Sequence, residues 1–148
     1  MKMKTVTTVL GVLALAACTA MVTEEGVMLE TDAFQEWDAV LEANPGFAVR
    51  GSARANSGFG QTATAVSIAG APDRGVHPWH IHAGSCGSDG PIVGDAGAYP
   101  ALSVGSDGTA DESAQLDVEL MSDADYYVNI HASPNDLGTI VACGRLFR

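Results

Sequence analysis

The chain has 148 residues, 47% of them apolar, which suffices for one domain with a core and excludes wholesale disorder. Eighteen acidic side chains stand against seven basic ones, a formal charge of −11. Nucleic acid and anionic lipid surfaces are polyanions, so this charge argues against both as partners.

The charge is uneven. Both lysines, Lys2 and Lys4, lie in the first four residues, and no acid precedes Glu24. Thr5 to Ala17 is uncharged, rich in Val, Leu and Ala, and runs into Leu15-Ala16-Ala17-Cys18. A basic start, a short apolar run and small residues at a cleavage point predict a secretory signal. The run is too short for an ordinary transmembrane helix. The tetrapeptide resembles the bacterial lipobox, whose cysteine is lipidated and becomes the first mature residue. The alternative is an ordinary signal-peptidase site beside Cys18. The reading is therefore a lipoprotein signal peptide over 1–17, a lipidated tether over 18–36 and a domain over 37–148. The protein would be lipid-anchored through Cys18 in the bacterial cell envelope, facing the periplasm or the cell exterior. Removing 17 residues leaves 131, with five arginines, no lysine and 18 acids, a formal charge of −13. Cys86 and Cys143 then remain. An even pair in an oxidising compartment predicts one disulfide rather than two buried thiols. The loop it closes exceeds fifty residues, worth roughly 3–4 kcal/mol by chain entropy.

Within the tether, Met21 and Met28 are soft copper(I) ligand types, although incidental methionines in a linker are the plainer reading. Asp32 to Ala43 fits two patterns. Phe34, Trp37, Val40 and Leu41 recur at helical spacing, Asp32 with Gln35 resembles a capping box, and Asn44-Pro45-Gly46 is a stop signal. Trp37 to Leu41 fits a short strand equally well. From there the pattern is β. Phe47 to Ala55 alternates small or apolar odd positions with polar Arg50, Ser52 and Arg54, a half-buried strand. Gln61–Ala69, rich in Thr, Val and Ile and bounded by glycines, predicts a second strand, and Val76–Ala83 a third. Residues 84–100 are glycine-rich and apolar-poor, a long loop. Ala114, Leu116, Val118 and Leu120 alternate with Gln115, Asp117 and Glu119 as an amphipathic strand. Tyr126–Ala132 and Ile140–Phe147 complete the set. Turn signals at Asn56-Ser57-Gly58, Asp73-Arg74-Gly75 and Asp107-Gly108 separate the strands. Many short strands at such intervals predict an all-β sandwich or barrel.

Three of the four histidines lie in Val76-His77-Pro78-Trp79-His80-Ile81-His82. Strand alternation puts His80 and His82 on one face and His77, Trp79 and Ile81 on the other. Residues two apart on a strand are about 6–7 Å apart, close enough to converge on one ion. In Tyr126 to His131, the residues Tyr126, Val128 and Ile130 take the apolar face and His131 the opposite one. If these strands are near neighbours, three imidazoles meet outside the core. Imidazole suits copper or zinc, but a single His-x-His is commonly no more than a polar surface.

Gly75-Val76-His77-Pro78-Trp79-His80-Ile81-His82, with Cys86 following, resembles the first copper-ligand strand of the copper/zinc superoxide dismutases. Asn129-Ile130-His131 with Asn135-Asp136-Leu137-Gly138 resembles that family's last copper-histidine segment, and Ala142-Cys143-Gly144 its C-terminal disulfide segment. Val40-Leu41, Gly51 and Leu102 to Ala110 fit the connecting strands. The resemblance covers about residues 37–148. It implies a Greek-key β-barrel in which Trp37 to Ala43 is the first strand. It implies His80, His82 and His131 as copper ligands, and His77 packing beneath the site and hydrogen-bonding backbone. It also implies that Cys86–Cys143 anchors the active-site loop.

The sequence departs from that pattern in two places. Ile92 stands where the family has its copper–zinc bridging histidine, and no histidine lies between Ile92 and Leu102, where zinc ligands belong. One copper and no zinc is therefore expected. Ile140 stands where the family has a guiding arginine, in a shortened loop, and Arg145 is a poor substitute for it. Without the bridge, water must supply both protons to the product. Without the arginine, superoxide meets a surface of charge −13, and steering alters on-rates by about 10–10³. The leading reading is a slow copper-only superoxide dismutase acting on superoxide. The alternative is a copper-binding protein that stores, buffers or delivers copper to or from a partner, and a metal-free interaction module is a third. Ser85 and Ser133 near histidines lack a nucleophile-elbow motif, and Asp123 with Asp125 is most simply a solvated turn.

Overall fold

The computed structural model describes residues 34–148. The readings at 1–17, Cys18, Met21 and Met28 lie outside the described residues. Those that are described form an all-β domain. The strands are β1 (Gln35–Ala43), β2 (Arg50–Gly58), β3 (Gln61–Ala69), β4 (Val76–His77), β5 (Trp79–Ala83), β6 (Leu102–Ser103), β7 (Ala110–Leu116), β8 (Tyr126–Ser133) and β9 (Asp136–Leu146). Among these residues no helix is long and apolar enough to cross a membrane.

Seven strands form one antiparallel sheet in the order β5-β8-β9-β1-β2-β3-β7, curled into a half-barrel, while β4 and β6 pair separately. Strand β1 joins the two halves: Gln35 to Leu41 pairs with β2, and Glu42 and Ala43 pair with Cys143 and Ala142 of β9. Alternation explains the core. Trp37, Ala39 and Leu41 point inward with Val66, Ile68, Ala114 and Leu116, and on the other half with Trp79, Ile81, Val128 and Ile130. Asp32 to Ala43 is thus a strand over its described part, and it begins at Gln35, two residues before the expected Trp37.

Several boundaries differ from the local pattern, each for a hydrogen-bonding reason. The second strand runs over 50–58, not 47–55. Phe47 donates its N–H to Asn44 in the preceding turn, and pairing continues through Asn56, Ser57 and Gly58 to close only at Phe59-Gly60, both with positive φ. The expected turn at Asn56 is therefore strand. The amphipathic run ends its ladder at Leu116, not Leu120. Beyond it, Thr62 Oγ1 donates to the Val118 carbonyl at 2.7 Å and Leu120 N–H donates to Ser57 Oγ at 2.6 Å, so side chains replace the ladder. The last strand begins at Asp136, because Ser133 pairs with Asp136 across a two-residue loop.

The expected single strand over 76–83 is divided at Pro78. Proline has no N–H to give a ladder. His77 pairs with Leu102 of β6 on one side of it, and Trp79 pairs with Ile130 of β8 on the other. This break lets His77 and His80 approach the same residue, His131, from different directions.

Candidate metal centre

His80 and His82 stand on the outward face of β5, and His131 on the same face of its neighbour β8. Register shifts in the β8–β9 ladder fall on both sides of His131. Such a bulge re-aims a side chain. The His131 backbone is pinned from below: its N–H donates to the Pro78 carbonyl at 2.8 Å, and His77 Nδ1 donates to its carbonyl at 2.8 Å.

The three rings converge, with centroids 5.0 Å apart for His80–His131, 5.9 Å for His80–His82 and 6.1 Å for His82–His131. One nitrogen from each lies within 4.8 Å of the others. The cluster can hold a metal ion. It lies outside the apolar core, yet it is buried, each residue no more than 8% exposed. The sheet supplies one wall, and the 84–100 loop lies against His80 and His82. His82 pairs with Ile92 across an isolated bridge, and Tyr99 packs edge-on to His80 at 5.2 Å.

Carbonyls fix which nitrogens are free, because an oxygen of that kind only accepts. His82 Nδ1 faces the Gly90 carbonyl at 2.8 Å and His131 Nδ1 faces the Leu137 carbonyl at 2.7 Å, so both carry hydrogen. In the neutral form of a ring so held, Nε2 is a bare lone pair. That of His131 accepts from His80 Nδ1 at 3.0 Å, while that of His82 is buried with no partner. A buried acceptor without a partner costs about 1–3 kcal/mol. The Nε2 atoms of His82 and His131 offer two lone pairs, and His80 Nδ1 offers a third once its hydrogen moves to its own Nε2, so the cluster presents three nitrogens to one cation. Carbonyls on the far nitrogens are the usual means of orienting such ligands.

Electrostatics agree. Burial, with His131 and His82 adding to it, pushes the His80 ring down to about 4. Burial also lowers His131, partly opposed by the Leu137 carbonyl. Both rings are therefore neutral at physiological pH, as metal ligation requires. Burial raises the Tyr99 phenol to about 12, so it keeps its hydrogen and donates to the Val93 carbonyl at 2.7 Å.

Cys86 and Cys143 form a disulfide with Cα atoms 6.0 Å apart, tying the start of the loop to β9. Arg145 points elsewhere: it pairs with Asp125 at 2.6 Å on the surface. Residue-type and parity reasoning passed over two aromatic neighbours, Tyr99 and Tyr127. Tyr127 stacks on His82 with ring centroids 5.1 Å apart and 21° between planes. The available signal was alternation itself, since Tyr127, Asn129 and His131 share one face of β8. In comparisons with known proteins, no family model and no curated protein matches this chain.

Proposed function

We propose that this chain is a copper-binding, superoxide dismutase-like lipoprotein of the bacterial envelope, acting as a slow copper-only superoxide dismutase. The observation that carries this reading is the buried convergence of His80, His82 and His131, with two carbonyl-fixed tautomers and one unpartnered Nε2. Three imidazole ligands suit copper. The order of the sequence motifs supports the Greek-key barrel of the copper/zinc superoxide dismutases as the specific form of this all-β fold. The Leu15-Ala16-Ala17-Cys18 run supports the lipid anchor.

When bound, copper supplies one-electron redox chemistry suited to oxidising one superoxide and reducing another. The residues around the site limit how fast that runs. Ile92, at the place of the resembled family's bridging histidine, is bridged to His82 through its backbone and packs on the core. It has no proton to give, so water must supply both. Ile140, at the place of the guiding arginine, offers no cation, and Arg145 is held by Asp125. A surface of charge −13 then repels superoxide, a loss of about 10–10³ relative to a steered site.

Metal content paired with a dismutation assay tests the reading. The mature protein is expected to take about one copper per chain without stoichiometric zinc, and to dismutate superoxide faster than the same amount of free copper. Protein that keeps zinc tightly and binds no copper would overturn it. The missing proton carrier and guiding cation, with all three ligands retained, favour one further reading, a copper carrier that exchanges its ion with a donor or acceptor. Full copper content without dismutation above free copper selects the carrier.

A further inference from the structure

We infer that Tyr127 is a positioning residue for the metal centre, one that locks the His82 ring in the orientation that leaves Nε2 facing the cluster. The inference rests on the metal-binding reading above. Tyr127 stands opposite His82 in the β5–β8 register, and its ring lies nearly parallel to the imidazole, fully buried. Its hydroxyl accepts from the Gly90 N–H at 3.0 Å. The carbonyl of that same Gly90 accepts from His82 Nδ1 at 2.8 Å. The contacts close a circuit: His82 to Gly90, Gly90 to Tyr127, and Tyr127 back onto the His82 face.

The backbone leaves no slack in this circuit. A Cβ at residue 90 would overlap the Ala83 carbonyl, so only glycine lies this flat against β5. Ala83 N–H also donates to the Pro91 carbonyl at 3.0 Å. Turning the imidazole over would put Cδ2 where Nδ1 stands and Cε1 where Nε2 stands. It would break the Gly90 bond and point a C–H, instead of a lone pair, at His80 and His131. A tyrosine that merely filled space would need some partner for its hydroxyl. This one finds it on the residue that anchors a ligand.

Tyr127→Phe keeps the stack and removes the hydroxyl, while Tyr127→Leu removes both. In metal-free protein, NMR reads the His82 ring nitrogens and the exchange of the Gly90 amide. In a chelator competition, Cu(II) affinity and the Cu(II) EPR spectrum are read on the same variants. Tyr127→Phe is expected to lose Gly90 protection, mix the His82 tautomers, weaken Cu(II) about tenfold and alter the EPR spectrum. Tyr127→Leu is expected to lose more, and should it fail to fold, Tyr127→Phe decides. Unchanged Gly90 exchange and Cu(II) affinity in Tyr127→Phe would overturn the inference while leaving the copper reading intact. Wild-type protein that takes no Cu(II), with mixed His82 tautomers in Tyr127→Phe, would sink the copper reading and keep the positioning role.

Discussion

Ile140 stands directly opposite His131 in the β8–β9 register. Opposed residues share a face of the sheet, so an apolar side chain stands on the side of the sheet that carries the candidate metal centre. Ile140 also lines a cavity of about 240 Å³ with Asn44, Asn129 and the disulfide, which leaves room for a longer side chain. Ile140→Arg is expected to raise kcat/KM for superoxide in copper-loaded protein by about tenfold at low salt, fading as ionic strength rises. An unchanged rate at low ionic strength would remove electrostatic capture as the limit.

The four histidines divide into two roles. His80→Ala and His131→Ala each delete a converging nitrogen and are expected to abolish stoichiometric copper binding. His77→Ala leaves all three nitrogens but frees the His131 carbonyl from its 2.8 Å bond. It is expected to destabilise the fold by about 1–3 kcal/mol and to weaken copper by about 10–100-fold. Metal analysis after dialysis with denaturant titration separates these outcomes; equal copper content in all three variants contradicts the division.

Local pattern read some of this molecule to the residue and missed other parts for physical reasons. Strand Gln61–Ala69 was legible because its alternation is bounded by glycine at both ends. The shared face of His80 and His82, and the outward side of His131, followed from alternation alone. The division at Pro78 was not legible: its effect depends on β6 and β8, which come from elsewhere in the chain. The burial of the histidines was also hidden, because part of their cover is a loop without periodicity. Gly90 and Leu137 orient ligands through backbone carbonyls, which every residue type possesses, so no side-chain motif marks them.

The disulfide and the ligand set meet in one loop. Cys86 fixes its start to β9, and Gly90, four residues on, anchors His82. Cys86→Ser is therefore expected to do two things. Stability falls by roughly 3–4 kcal/mol, read as a lower denaturation midpoint. Copper dissociates faster, because the carbonyl that holds His82 is no longer tied down. A variant that loses stability but releases copper at the wild-type rate shows that the loop is held by its own hydrogen bonds.

Acid should act on this protein through its metal site. Burial holds His80 at about 4 and lowers His131, whereas histidine in an unfolded chain titrates near 6.5. Between these values the unfolded chain binds more protons than the fold. The stability of metal-free protein is therefore full above about pH 6.5, falls as pH drops towards 4, and levels off once both states are protonated. Copper takes the same lone pairs as the protons, so its added stabilisation shrinks over the same window. Denaturant midpoints of metal-free and copper-loaded protein from pH 7 to pH 4 should show both trends. His80→Ala should flatten the fall for the metal-free form, and a wild-type profile that is already flat there would mean the buried rings carry no proton linkage.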